Sequence, residues 1–239
     1  MQSHKLQSFL KEVLANLPND WIGLTTHRLD IYDESQAKIQ FLHQFENLYK
    51  IGNVSAETLR ELPTAYDYIR LGHPLSSVLE WAIAKLYNIT PEEVISFSSQ
   101  TIGILAVLRT NLLAGKNTQI NYVGDLPNSF NAELIKQVYG YNFKLNEVSD
   151  ASEVADFDGS SIFISKSEKV GALELNENID FYITAHGFLG SILVINGKHN
   201  SDYVGAIQHV RRRETIAMTP IDTFAVLKAF ANQSALELT

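Results

Sequence analysis

A chain of 239 residues, 45% hydrophobic and 19% charged, is long enough for one good core or for a large domain with a small satellite, and its balance is that of an ordinary globular protein. A net charge of -8 excludes a sequence-independent grip on nucleic acid or anionic lipid, since both draw on an excess of Lys and Arg. The absence of cysteine excludes disulfides, thiolate metal ligands and a cysteine nucleophile.

In chain order, Leu6, Phe9, Leu10, Val13, Leu14 and Leu17 recur at helical spacing and predict a helix over 3–17 that ends near Pro18. This stretch is mixed in charge and lacks the apolar core of a signal peptide. No apolar run reaches the ~20 residues of a membrane span. A cytoplasmic protein with no nucleic-acid or membrane partner is the expectation. A second helix starts at Ser35, an N-cap, carries Ile39, Phe41, Leu42, Phe45, Leu48 and Tyr49, and stops at Gly52. Ser55, Leu59 and Leu62 mark a short helical turn before Pro63.

From Pro74 the pattern alternates. Helices are expected over 75–87, 100–114, 128–139, 201–215 and 220–232, and strands over 94–97, 118–123, 141–145, 161–165, 180–184 and 191–195. Such alternation means βαβ units, hence an α/β fold with a mainly parallel sheet and helices on both faces. The short connectors between the late strands predict one antiparallel insertion or an edge pair. Residues 1–62 read as a helical N-terminal extension and 63–239 as the α/β domain.

Several local features have plain readings. Arg211 to Arg213, followed by Glu214, is expected to be a solvated or salt-bridged helix face. Gly115-Lys116 lacks the upstream glycine and following hydroxyl of a P-loop and reads as a helix C-cap turn. The histidines show no His-x-x-x-His pairing, so no metal site is expected. His73, before Pro74, is read as a turn residue. In Ser98-Ser99-Gln100-Thr101, backbone N–H groups and hydroxyls at a helix start suit a phosphate, and serines equally well simply cap a helix.

The order of several segments carries a resemblance. Tyr68-Ile69-Arg70 and Gly72-His73-Pro74 precede a helix. Phe97-Ser98-Ser99-Gln100-Thr101-Ile102-Gly103 joins a strand to a second helix, and Ile162-Phe163-Ile164-Ser165-Lys166-Ser167 and Asp180 to Phe188 are later strand ends. Thr219-Pro220-Ile221-Asp222 opens the final helix. Over roughly residues 60–232 this resembles the cystathionine γ-synthase-like (Cys/Met metabolism) enzymes, which use pyridoxal phosphate and have the aspartate-aminotransferase fold (fold type I). The resemblance implies the large domain of that fold, with a seven-strand-like mixed sheet and the small C-terminal domain missing. It assigns the cofactor's phosphate end to Ser98, Ser99, Gln100 and Thr101, with Tyr68 and Arg70 reaching into a neighbouring subunit, where the planar guanidinium matches phosphate oxygens.

The departures are chemical. Gln100 stands where the family has a glycine, Gly124 to Phe130 offers no tyrosine to stack on the pyridine ring, and Ser165 takes the place of the aspartate that pairs with the pyridine nitrogen. Ala185 or Phe188, depending on register, takes the place of the Schiff-base lysine. An internal aldimine needs that amine, which also shuttles protons in the family's reactions. The chain therefore reads as a degenerate, non-catalytic relative. It is expected to act as a structural or regulatory subunit of a homodimer, or of a complex with a full-length pyridoxal-phosphate enzyme whose phosphate site Tyr68 and Arg70 complete. It would hold no cofactor, or pyridoxal phosphate non-covalently. The alternative is a small enzyme acting on amino-acid-like substrates, of C–S lyase or γ-replacement type, with His186, Lys166 and Ser165 as catalytic candidates in a remodelled pocket. A third reading makes it half of a split enzyme.

Overall fold

The computed structural model describes residues 2–23, 34–65, 70–167, 169–196 and 202–234. Tyr68 and the proposed capping side chain of Ser35 lie outside the described residues. The chain forms two compact units, one of Met1–Pro91, Lys169–Gly171 and Ile216–Thr239, the other of Glu92–Glu168 and Ala172–Thr215.

The first unit is helical. Its elements are α1 (Gln2–Ala15), α2 (Asp20–Gly23), α3 (Glu34–Ile51), α4 (Ala56–Arg60) and α5 (Pro74–Tyr87), joined by α9 (Pro220–Asn232) from the C-terminal end of the sequence. Helix α5 is apolar nearly all round and buried nearly all round, and it packs against α1, α3 and α9. His73 caps its N-terminus: the ring Nδ1 accepts from the Ser76 N–H at 3.2 Å and Nε2 lies 2.7 Å from the Met218 carbonyl oxygen. The short helical turn expected at Ser55 is α4, and Ser55 and Thr58 form its capping box. Aromatic rings fill the interior edge to face, with Phe45 at 5.0 Å from Trp81 and Phe9 at 5.0 Å from Tyr49. The strap Lys169–Gly171 is held here by Gln233, whose side chain accepts from Val170 N–H at 3.0 Å and donates to Val170 C=O at 2.9 Å.

The second unit holds a six-stranded sheet in the order β1-β6-β5-β4-β2-β3. The strands are β1 (Val94–Phe97), β2 (Thr118–Tyr122), β3 (Phe143–Glu147), β4 (Ser160–Lys166), β5 (Phe181–Ala185) and β6 (Ser191–Ile195). Strands β3, β2, β4 and β5 are parallel neighbours, while β6 runs antiparallel to both β5 and β1. The described residues thus give six strands where a seven-strand-like sheet was expected. The antiparallel strand β6 is inserted between β5 and the edge strand β1, with which it also forms an antiparallel edge pair. Helices α6 (Ile102–Leu113), α7 (Ala132–Tyr139) and α8 (Tyr203–Glu214) cover one face, packing Ile104, Val107, Ile135 and Ile207 onto Ile120, Ile162, Ile183 and Leu193. On the other face the 3-10 turn Ala151–Glu153 and the connection after it are tied down through Asn176, which donates to the Ala151 carbonyl at 2.8 Å, and through Tyr182. The expected α/β class, a mixed sheet with helical segments on both faces, is the one observed.

Polar contacts lock this unit. Tyr203 Oη donates to Asn111 Oδ1 at 2.6 Å, and Asn111 Nδ2 donates to Thr118 Oγ1 at 2.9 Å, which ties α8 to α6 and to β2. Arg211 is fully buried, with Nη1 donating to the Ser96 carbonyl at 3.2 Å. The expected solvated arginine face therefore begins only at Arg212, because the first arginine of the run points inward from α8. Gln119, Asn121 and Asn146 satisfy one another and the Ser161 hydroxyl across β3, β2 and β4.

Within the helical unit Glu80 has no exposed surface, and Lys38 reaches it from α3 at 2.7 Å while also donating to the Pro91 carbonyl at 2.9 Å. Removing one member of such a pair strands a buried charge. Lys38→Ala is expected to lower unfolding free energy by on the order of 3 kcal/mol, and Lys38→Met with Glu80→Leu to recover most of it, measured by urea titration.

Candidate functional site

The C-terminal ends of β1, β5 and β4 carry the sequence candidates at one end of the sheet. Between β1 and α6 the chain makes the turn Ser98–Thr101. The Ser99 hydroxyl accepts from the backbone N–H of Thr101 at 3.2 Å and of Ile102 at 3.3 Å, and lies 3.3 Å from Thr101 Oγ1. Two donors that open α6 are thereby taken by the protein itself. Ser98 Oγ lies 3.4 Å from Thr215 Oγ1. Gln100 donates its side-chain amide to the carbonyl of Gly187, in the loop between β5 and β6.

That loop is tight. His186 N–H donates to Gly190 O at 3.0 Å, Leu189 N–H donates to His186 O at 2.9 Å, and the Ser191 hydroxyl donates to Ser99 O at 2.6 Å. Gly190 has φ +118°, and a Cβ there would lie 2.1 Å from the Phe97 carbonyl oxygen, so only glycine admits this approach of loop to turn. Phe188 stands fully exposed at the tip. Residues 180–197 contain no lysine.

His186 is 6% exposed, and its Nε2 has no partner among the described residues. Burial holds its imidazole down to about 4, against a hydrogen bond with the Ser167 backbone that favours the charged form. At neutral pH it is an uncharged ring. Ser165 and Lys166 end β4, with Lys166 paired in register with Ala185 of β5. Both line a cleft of about 220 Å³ together with Phe163, Tyr182, Asp150 and Glu174. Lys166 Nζ lies 4.0 Å from Asp125 Oδ2, and both side chains are well exposed.

The structure thus brings Ser98 to Thr101 against the loop that contains His186, and places Ser165 and Lys166 on strand ends one strand away. Arg70 lies in the helical unit with an exposed side chain and with its carbonyl accepting from Ala217 N–H at 2.8 Å. Of the expected pocket residues Ser165 and Lys166 line the cleft and His186 does not, while Asp150, Phe163, Glu174 and Tyr182 join it without any spacing signal in the sequence. Among the described residues no group of three His, Asp or Glu is placed to hold a metal ion, and no helix is long and apolar enough to cross a membrane.

An interior antiparallel strand in an otherwise parallel sheet, with a helix opening directly after β1, defines the large-domain architecture of fold type I enzymes. No family model and no curated protein matches the sequence. Among solved structures, the chain is similar to cystathionine gamma-lyase from yeast, at 12% identity and TM-score 0.52, over 93% of this chain and 62% of that one. Cystathionine gamma synthase from Xanthomonas oryzae pv. oryzae matches at 14% identity and TM-score 0.46, over 72% of this chain and 54% of that one. MetB from Corynebacterium glutamicum matches at 16% identity and TM-score 0.45, also over 72% and 54%. At these identities the likeness is one of fold, and the chain spans little more than half the length of the structures it matches.

Pyridoxal phosphate is the group that this fold implies. The residues present do not fit it as a covalently held cofactor: the β5–β6 loop has no amine, Ser165, next to last in β4, stands where the resemblance implies an aspartate, and the Thr101 and Ile102 N–H groups are engaged by Ser99.

The buried histidine has a consequence for stability. Below its ordinary value of 6.5 the unfolded chain takes up a proton that folded His186 refuses until about pH 4. Stability is therefore expected to fall between pH 6.5 and 4, by up to on the order of 3 kcal/mol, and to be unaffected by this group above 6.5. Denaturant titrations across that range should show a shallower decline for His186→Gln than for the parent.

Proposed function

We propose that this protein is a non-catalytic relative of the Cys/Met-metabolism pyridoxal-phosphate enzymes, acting as a structural or regulatory subunit. The observation that carries the reading is the closed β1–α6 turn. A helix start that serves a phosphate must leave its N–H groups free. Here Ser99 occupies the N–H groups of Thr101 and Ile102, and Gln100 is tied across to Gly187. The lysine-free loop and the neutral Ser165 support the same conclusion.

Assembly is part of the proposal, as a homodimer or as a companion to a full-length pyridoxal-phosphate enzyme in the cytoplasm. Leu134 and Val138, one turn apart on α7, are 55% and 61% exposed, and Phe188 is fully exposed, which leaves apolar surface for a partner. Tyr68 and Arg70 would complete a partner's phosphate site, a role to which the exposed Arg70 side chain lends itself. In this scheme residues 1–62 form the helical extension of an α/β domain over 63–239.

A second reading is favoured by the cleft at Ser165 and Lys166: a small enzyme acting on amino-acid-like substrates with those two residues in its pocket, His186 being buried and not among the lining residues. Titration with pyridoxal phosphate, followed by absorbance and by intact mass after borohydride, separates the two. The proposal expects no reducible adduct and no aldimine band. An adduct on a single lysine would replace it with the enzyme reading.

A further inference from the structure

The outer surfaces of α6 and α7 carry apolar side chains that the core of the sheet unit does not use. Asn111 and Ile135 face inward and are buried, whereas Leu112, Leu113, Leu134, Val138 and Tyr139 are each about half exposed or more, Leu113 reaching 78%. A helix facing only solvent carries polar residues at such positions. The two helices end side by side: α6 leads into β2 and α7 into β3, and those strands start as register partners, Thr118 opposite Phe143. Tyr139 extends the patch by stacking on Tyr141, at 5.2 Å between centroids and 12° between planes. The charges that border it are matched within the chain. Glu133 lies 3.7 Å from Lys136, Arg109 pairs with Glu214, and Lys116 turns its ammonium over the Tyr203 ring at 4.9 Å.

Area and charge together select what covers this surface. The five side chains amount to about three fully exposed large residues, or roughly 500 Å². A standard interface buries about 800 Å² per partner and a homodimer interface is about 65% apolar, which requires roughly 520 Å² of apolar surface from each copy. In a twofold dimer a patch meets itself, so any net charge on it opposes association. The chain's net charge lies elsewhere: residues 146–180 hold nine acidic and two basic residues, seven of the eight net negative charges. After β3 that stretch runs on the face of the sheet away from α6 and α7, where Asn176 and Asn178 donate to the Ala151 and Val154 carbonyls. A strongly basic or acidic partner finds no complement between the matched pairs of the helical face, and a second copy meets no repulsion there. We propose that α6 and α7 form the interface of a twofold homodimer, with Leu113, Leu134 and Val138 of each copy at its apolar centre. This rests on the subunit reading and deepens it, by assigning this surface to a second copy of the chain. The helix ends lie beside the start of β2 and β3, at the opposite end of the sheet from the β1–α6 turn, so assembly here does not draw on the Ser98–Thr101 site.

The test is sedimentation velocity of the full chain over a concentration series. A monomer–dimer equilibrium is expected, with Kd on the order of 10 µM or tighter, and added salt should not weaken it, since apolar contact is not screened. Leu113→Asp on α6 and Val138→Asp on α7 should each raise that Kd by about a hundredfold, because the twofold enters every substitution twice. Both positions are exposed, so the circular dichroism spectrum should not change, and either variant alone carries the test. Ile51→Asp, at a 74% exposed apolar position in the helical unit, should leave the Kd as it was. A monomer at every concentration, a dimer indifferent to both α6 and α7 substitutions, or one dissociated equally by Ile51→Asp overturns the proposal. The cofactor titration reads a different property. A lysine adduct there sinks the non-catalytic reading and leaves the dimer standing, whereas a monomeric chain sinks the dimer and leaves the non-catalytic reading with a companion enzyme as its partner.

Discussion

The candidate site depends on one contact, the approach of Gly190 to the carbonyl of Phe97. Strand β6 runs antiparallel between β5 and β1, so the β5–β6 loop must emerge beside the turn that follows β1. With no side chain at 190, the loop closes until a Cβ would overlap the Phe97 oxygen. That closeness lets Ser191 reach Ser99 O and Gln100 reach Gly187 O. Loop and turn become a single hydrogen-bonded piece. A helix start that in an open turn would attract an anion is instead used internally.

Much of the sheet was legible because strands buried on both faces read as apolar runs. VISF, SIFIS and SILVI fall within a residue of β1, β4 and β6. Boundaries slipped where local chemistry competed. Helix α7 starts at Ala132 and not at 128, because Pro127 to Phe130 closes its own turn and Asn131 then caps the helix through the Leu134 N–H. Strand β3 starts two residues late because Tyr141 is buried in the core by its ring without joining the ladder. The interior position of β6 is a matter of non-local pairing, which spacing does not encode. Arg211 shows the same limit: a basic run predicts solvent, and only the packing of α8 toward Ser96 shows that one of its members is buried.

The site was legible in part for a different reason. Ser98 to Thr101 could be found because hydroxyls before an apolar helix are a local signal, but phosphate cradle and self-capped turn share that signal. The direction of the Ser99 hydroxyl, turned onto the Thr101 and Ile102 N–H groups, distinguishes them. His186 was notable for its loop, whereas its neutrality follows from burial. Of the cleft residues, Phe163 and Tyr182 come from neighbouring strands, in register with each other, a relation visible only once β4 and β5 are paired.

The β1–α6 turn and the β5–β6 loop are drawn together by hydrogen bonds, which makes the turn a structural joint. The most direct measurement is amide hydrogen exchange at Thr101 and Ile102, with and without pyridoxal phosphate. Both amides are expected to be protected already in the free protein and unchanged by the cofactor. Rapid exchange in the free protein, slowed when pyridoxal phosphate is added, would mean an open phosphate site and would contradict a turn closed by Ser99.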